Sequence, residues 1–169
     1  AIIYKSDIFK EIENTTSPCY LCARKRRGSL YAKAKELGCN KIALGHHFDD
    51  VIETILLNIL YAGEYKTMMP KLKSKNFEGM ELIRPLYYIK EEDVISWAKY
   101  NKLTFLDCAC NVTKKSLGKR KEIKQLIKDL RKTNKNVDIN ILNSSRNINL
   151  DAVISNKSKN IKYNFLDEY

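Results

Sequence analysis

Two short stretches of this chain hold most of the side chains that can do chemistry. The first is residues 41–54, KIALGHHFDDVIET, with both histidines of the sequence, His46 and His47, followed by Asp49, Asp50 and Glu53. A carboxylate pair in such a place can hold Mg2+ through one or two oxygens while substrate phosphates complete the shell. Asp50 with Glu53 three residues on also fits a helix-start box. Capping accounts for those two carboxylates but not for His46, His47 and Asp49 beside them. The second stretch is Cys19-Tyr20-Leu21-Cys22. That spacing lets two thiolates face one metal ion or cluster, and a helix start lowers their pKa. Cys108-Ala109-Cys110 lies far downstream, and the four together could supply a zinc site or a cubane iron–sulfur cluster. Cys39 follows a helix-ending glycine and is expected to be structural. Directly after Cys22 comes Arg24-Lys25-Arg26-Arg27. Such a run most often forms a solvated face, but arginine also suits planar contacts to phosphate.

These groups need elements to position them. Lys41-Ile42-Ala43-Leu44-Gly45 reads as a buried strand, and Val51, Ile52, Ile55, Leu56, Ile59 and Leu60 recur at helical spacing. The titratable groups therefore collect where a strand ends and a helix begins, and open parallel sheets bind ligands at the carboxyl ends of their strands. A helix is predicted over 20–37, with Leu30, Ala34 and Leu37 on one face and Gly38 as its stop. Residues 65–79 read as a lysine-rich connection. Residues 82–88 read as a strand near its end, where Pro85 argues for an edge or terminal position. Further helices are predicted over 91–101, packed by Val94, Trp97 and Ala98, and over 119–132, with Ile123, Leu126, Ile127 and Leu130 inward. Residues 1–4 read as a strand, and Ser6-Asp7 could cap a short helix through Ile8, Phe9 and Ile12. Residues 137–154 are expected to dock as a short helix or arm, and the last dozen residues to be loose. The alternation predicts an α/β fold, a parallel sheet flanked by helices. Residues 1–132 form its domain and 133–169 an Asn- and Lys-rich C-terminal arm.

The chain's 169 residues suffice for one domain with a real core. No apolar run approaches the length of a membrane span, and no secretory signal is present, so a soluble cytoplasmic protein is expected. Five cysteines in such a chain point to metal binding or catalysis rather than to a disulfide framework. The formal net charge of +11 attracts polyanions, nucleic acid first among them.

The joint pattern resembles one family. Cys-x-x-Cys, then Arg-Arg-Gly, LGHHFDDVIET, IRPLYY and a late cysteine is similar to the tRNA 2-thiocytidine synthetases. These are PP-loop ATPases with a Rossmann-like, adenine nucleotide alpha hydrolase-like fold. The resemblance runs from about residue 7 to 154. It implies tRNA as substrate, ATP with Mg2+, a 4Fe-4S cluster held by three cysteines, and a sulfur donor whose identity the sequence does not reveal. ATP would adenylate the C2 oxygen of an anticodon-loop cytidine, and sulfur carried on the cluster's fourth iron would displace AMP. By matching position Cys19 and Cys22 are two cluster ligands, and the third is Cys110 or Cys108, with Cys110 favoured. Asp50 is the carboxylate needed for adenylation and Arg26 the cation facing the phosphates. His46, His47, Asp49, Glu53 and Arg27 are the further cofactor-binding candidates.

The sequence departs from the family in one respect. Family members begin with a strand and a Ser-Gly-Gly-x-Asp-Ser loop that holds the pyrophosphate of ATP. The glycines at 28, 38, 45, 63, 79 and 118 are all isolated, so no such backbone nest can form from them. The expectation is a C-terminal portion of a thiolation enzyme, a fragment or a natural truncation, inactive on ATP alone. Its open sheet surface would be covered by a further segment or a second copy. Two other readings keep separate signatures. A tRNA lysidine synthetase-like ligase shares the HH-x-DD segment but not the cysteines. A zinc-stapled RNA-binding module would need no PP-loop and would bind zinc alone.

Overall fold

The computed structural model describes residues 8, 18–105, 118–158 and 161–168. Residues 1–7, Phe9, Ile12, Cys108 and Cys110 lie outside the described residues, so the predicted first strand, the short helix beyond Ile8 and the second cysteine pair do too.

Helix α1 (Pro18–Glu36) opens on a proline, whose missing N–H costs nothing in a first turn. It ends as predicted at Gly38, which adopts φ +71°. There the Cys39 N–H closes back onto the Ala34 carbonyl at 2.8 Å. The inward face differs from the predicted one. Tyr31 is buried and Ala34 packs beside it, while Leu30 and Leu37 are exposed. Tyr31 stacks on Phe77 with ring centroids 5.0 Å apart, and that contact sets the helix's rotation.

Strand β1 (Lys41–Ala43) leads through residues 44–47 into α2 (Phe48–Leu57), which runs on into a π-helical turn at Asn58–Ala62. Gly63 closes that turn with φ +60°. Val51, Ile52 and Ile55 are fully buried at the predicted spacing, whereas Ile59 and Leu60 are exposed. Residues 65–79 are more than a connection. Lys71–Lys73 is strand β2, antiparallel to β3 (Glu81–Ile83), with Leu72 opposite Leu82. β3 is parallel to β1, with Ile42 opposite Leu82, so the order is β1-β3-β2. β3 is thus the central strand and stops before Pro85, which lies in the following turn. The proline marks a strand end, not a sheet edge.

Helix α3 (Glu91–Tyr100) turns Val94 and Ala98 inward but leaves Trp97 61% exposed. Trp97 is therefore not a packing residue among the described contacts. Helix α4 (Gly118–Thr133) buries Ile123 and Ile127, while Leu126 and Leu130 are exposed. Helix α5 (Val137–Ser144) buries Leu142 against α2 and α4. One core thus gathers Phe48, Val51, Ile52, Ile55, Tyr87, Ile123, Ile127 and Leu142. Each fully buried aliphatic side chain there contributes roughly 1.5–3 kcal/mol of transfer free energy. Beyond a 3-10 turn at Leu150–Ala152, β4 (Ser155–Ser158) and β5 (Ile161–Asn164) pair antiparallel. β5 and the 3-10 turn at Phe165–Glu168 lie within the last dozen residues. No helix among the described residues is long and apolar enough to cross a membrane.

Candidate nucleotide and metal site

The carboxyl ends of β1 and β3 lie side by side because the two strands are parallel. The Leu44 N–H extends the ladder to the Ile83 carbonyl at 2.9 Å, and residues 45–47 then leave the sheet. His47 is the N-cap of α2 in extended conformation. Its N–H donates to Asp50 Oδ2 at 3.1 Å. The helix-start box is therefore His47 with Asp50, three residues earlier than the predicted Asp50 with Glu53. Glu53 lies inside α2 and its side chain is only 2% exposed.

The two neighbouring aspartates point into different networks. Asp49 is buried, and Oδ2 accepts the Glu91 N–H at 2.8 Å, capping α3 from another element. Its Oδ1 accepts from Arg131 Nη2 at 2.7 Å, and Arg131 Nε reaches Asp138 at 2.9 Å. Burial pushes the Asp49 carboxyl up, but the Glu91 N–H and the Arg131 guanidinium outweigh it and hold it below its ordinary value of 3.8. The bond to Asp138, with that to Asp49, raises Arg131 in turn. A carboxylate with a depressed folded-state pKa stabilises the fold above its unfolded value, and that stability is lost as pH falls through the folded one. Stability is therefore expected to drop on acidification below about pH 4. Asp49→Asn should remove part of that slope in urea unfolding series, and an unchanged pH slope would contradict the assignment.

Asp50 and Glu53 share a cation instead. Arg120, at the start of α4, donates from Nη2 to Asp50 Oδ1 at 2.5 Å and from Nε to Glu53 Oε2 at 2.7 Å. Lys124 lies 3.8 Å from Glu53 and binds Glu91 at 2.8 Å. Burial pushes Glu53 above its ordinary 4.5, with Arg120 opposing. Its contribution thus has the opposite sign to that of Asp49: present below pH 4.5 and lost as pH rises through the folded value.

His46 lies among cations. Burial lowers its pKa from 6.5, Arg84 lowers it further, and Arg120 and Arg27 add to this against Asp50. Burial and these cations favour the neutral imidazole. Its Nδ1, the Nδ1 of His47 and the Nε of Arg84 are buried without a hydrogen-bond partner among the described residues. Arg84 follows β3 and donates to the Met69 carbonyl. Burial, and then Arg27 among its charged neighbours, lowers its pKa. Arg27 is exposed on α1 and donates to the Ala23 carbonyl at 3.3 Å. Arg26 is exposed too, and is not among the charges that act most on His46. Cys19 and Cys22 fall in the first turns of α1, and the Cys22 thiol is free and half-buried. Cys39 is free and exposed, so it has no core role.

The fit to each implied group follows from these donors. Three guanidiniums, a neutral imidazole and orphaned ring and guanidinium nitrogens at a sheet's carboxyl end suit the phosphates of a nucleotide. Asp50 can offer Mg2+ an oxygen alongside those phosphates. The described residues hold no cluster of three or more His, Cys, Asp or Glu side chains at metal-binding distance. Cys19 and Cys22 at helical i,i+3 spacing suit two ligands of one cluster, and the late cysteines lie outside the described residues. Sequence reasoning missed Arg84, Arg120, Lys124 and Arg131. The available signal was the basic start of 118–124, GKRKEIK, ahead of an apolar stripe.

Residues 9–130 match the PP-loop domain family. The tRNA-cytidine(32) 2-sulfurtransferase of Geobacter metallireducens is 41% identical over 143 residues, covering 84% of this chain and 55% of that protein. The Syntrophotalea carbinolica protein of the same name is 44% identical over 123 residues, 73% of this chain and 47% of that one. That of Coxiella burnetii is 41% identical over 144 residues, 85% of this chain and 56% of that one. The chain thus spans about half the length of these curated relatives. Among solved structures, the U34-tRNA thiolase NcsA from Methanococcus maripaludis with its 4Fe-4S cluster superposes with a TM-score of 0.65 at 23% identity. That match covers 89% of this chain and 51% of the thiolase, and it shows that the two share a fold.

Proposed function

Because the chain belongs to the PP-loop domain family, we propose that it is the cysteine-bearing part of an ATP-dependent tRNA 2-sulfurtransferase forming 2-thiocytidine. One observation carries this reading. Helix α1, which bears Cys19 and Cys22 in its first turns, also supplies Arg27, whose charge acts on His46 and Arg84 at the sheet end. The cysteine pair and the phosphate-binding candidates are thus tied to one element.

In the proposed reaction the C2 oxygen of cytidine bonds to the α-phosphorus of ATP, and the bond to pyrophosphate breaks. Reduced sulfur then bonds to C2, and AMP leaves with the former C2 oxygen. Arg27, Arg84 and Arg120 hold the phosphate charge, and Arg26 faces the phosphates from the outer side of α1. Neutral His46 exchanges a hydrogen bond with the nucleotide without adding charge. Asp50 would hold Mg2+, which, when bound, would neutralise phosphate charge. Cys19, Cys22 and Cys110, with Cys108 as the alternative third ligand, would hold the 4Fe-4S cluster. That cluster, when bound, supplies an open iron that carries the sulfur to be transferred.

The test is mass spectrometry of tRNA nucleosides after incubation with a protein that carries this chain joined to a complete PP-loop half. ATP, reconstituted cluster and sulfide are supplied. Formation of 2-thiocytidine is expected, and its absence with cluster and ATP bound would overturn the proposal. Zinc as the sole bound metal would favour an RNA-binding module instead.

Binding of tRNA should be strongly electrostatic. With a net charge of +11 and the exposed 24–27 run, contacts to about four phosphates give a log–log salt slope of about −3 to −4. Fluorescence anisotropy titrations between low and moderate salt measure it. A flat salt dependence would remove tRNA from the partner list.

A further inference from the structure

Arg120 bridges two carboxylates that lie a turn apart on α2, and the ends of that bridge are unlike. Glu53, under Nε, has its side chain 2% exposed. It faces Arg120 and, at 3.8 Å, Lys124, with no open side from which a nucleotide or ion could reach it. Asp50, under Nη2, is 19% exposed and lies on the side of His46. Arg120 itself is 44% exposed. A guanidinium has five N–H donors, and these two bonds use two of them. Among the described residues the remaining donors meet no hydrogen-bond partner, which leaves them to an anion in the space that Asp50 and His46 border.

We infer that Arg120 is handed over from Asp50 to a nucleotide phosphate, with buried Glu53 as the fixed pivot. The inference rests on the reading of Asp50 as the carboxylate of the nucleotide site. Without nucleotide, Arg120 neutralises two carboxylates whose like charges on adjacent turns of one helix oppose each other. A divalent cation held by the Asp50 carboxylate would repel a guanidinium bonded to that same carboxylate. Nη2 must then leave Asp50, while the Nε bond to Glu53 need not break. The freed edge stays within reach of the phosphates that accompany the metal, and its planar fork suits them. Glu53 is accordingly a positioning residue rather than a cofactor ligand.

The two halves of the handover predict effects of opposite sign. Mn2+ serves as the probe for Mg2+, titrated by electron paramagnetic resonance, with and without ATP, into a protein that carries this chain joined to a complete PP-loop half. Arg120→Gln removes the cation that competes for Asp50, so bare Mn2+ should bind about tenfold tighter. The same variant loses the phosphate contact, so Mn2+ with ATP should bind about tenfold more weakly. Asp50→Asn should abolish the gain when combined with Arg120→Gln. Circular dichroism checks folding, and Arg120→Lys, which can reach only one carboxylate at a time, should show the same two signs at smaller size. Losses in both titrations would make Arg120 merely structural, and gains in both a simple competitor. Either result overturns the handover and leaves the nucleotide site in place. No saturable ATP binding by that protein without substitutions would overturn the site reading itself, and the handover with it.

Discussion

Asp50→Ala, in a protein carrying this chain and a complete PP-loop half, is expected to lose tRNA thiolation by about 1,000-fold or more. Affinity for tRNA and cluster content should stay near those of the unaltered protein. The side chain stands at the carboxyl end of the parallel β1–β3 pair, half-buried, with His46 and the arginines about it. Its structural contacts among the described residues are the His47 N–H that it accepts, the His47 imidazole Nε2 at 3.4 Å and the ion pair with Arg120. Loss of the helix-start bond costs about 1 kcal/mol. Arg120 is exposed enough to be hydrated once Asp50 is gone. The neighbouring substitution Asp49→Ala should show the reverse pattern. It uncaps α3 and leaves Arg131 paired with Asp138 alone, so it should cost stability first and activity only through folding. Thiolation and adenylation assays beside urea unfolding separate the two aspartates. Full thiolation by Asp50→Ala would refute its role in the chemistry.

Cys22→Ala should lower iron and sulfide to less than about a tenth of the wild-type content after anaerobic reconstitution, because a cluster held by three thiolates does not survive on two. The thiol is free, half-buried and one turn from Cys19 on α1. Cys39→Ala is the contrasting variant and should bind the full complement. Cys39 follows the opposite end of α1, and the 14 helical steps from Cys22 to Glu36 rise about 21 Å. No single cluster spans that length. Equal cluster content in the Cys22→Ala protein would remove Cys22 from the ligand set.

Neither substitution could have been ranked by periodicity alone. The sequence by itself determined the elements whose signal is local. Val51, Ile52 and Ile55 recur at helical spacing, Gly38 and Gly63 stop helices by accepting positive φ, and the strand over 41–45 ends in the titratable cluster. Those features depend on neighbours within a turn or two, so the order of residues contains them. What the tertiary structure decided are choices between equivalent local options. Strand β2, Lys-Leu-Lys, is three residues long with Leu72 itself exposed, too little local signal for a strand, and it exists because β3 offers it a ladder. In α4 the stripes Ile123–Ile127 and Leu126–Leu130 are equally apolar, and packing on α2 buried the first. In α3 the same competition put Val94 and Ala98 inward and left Trp97 in solvent. Asp49 and Asp50 look alike in sequence, yet adjacent helix positions project about 100° apart. One met Arg131 and the α3 terminus, the other Arg120 and the open sheet end. The arginines that separate a structural carboxylate from a candidate catalytic one stand 70 and more residues away, and only the fold brings them to it.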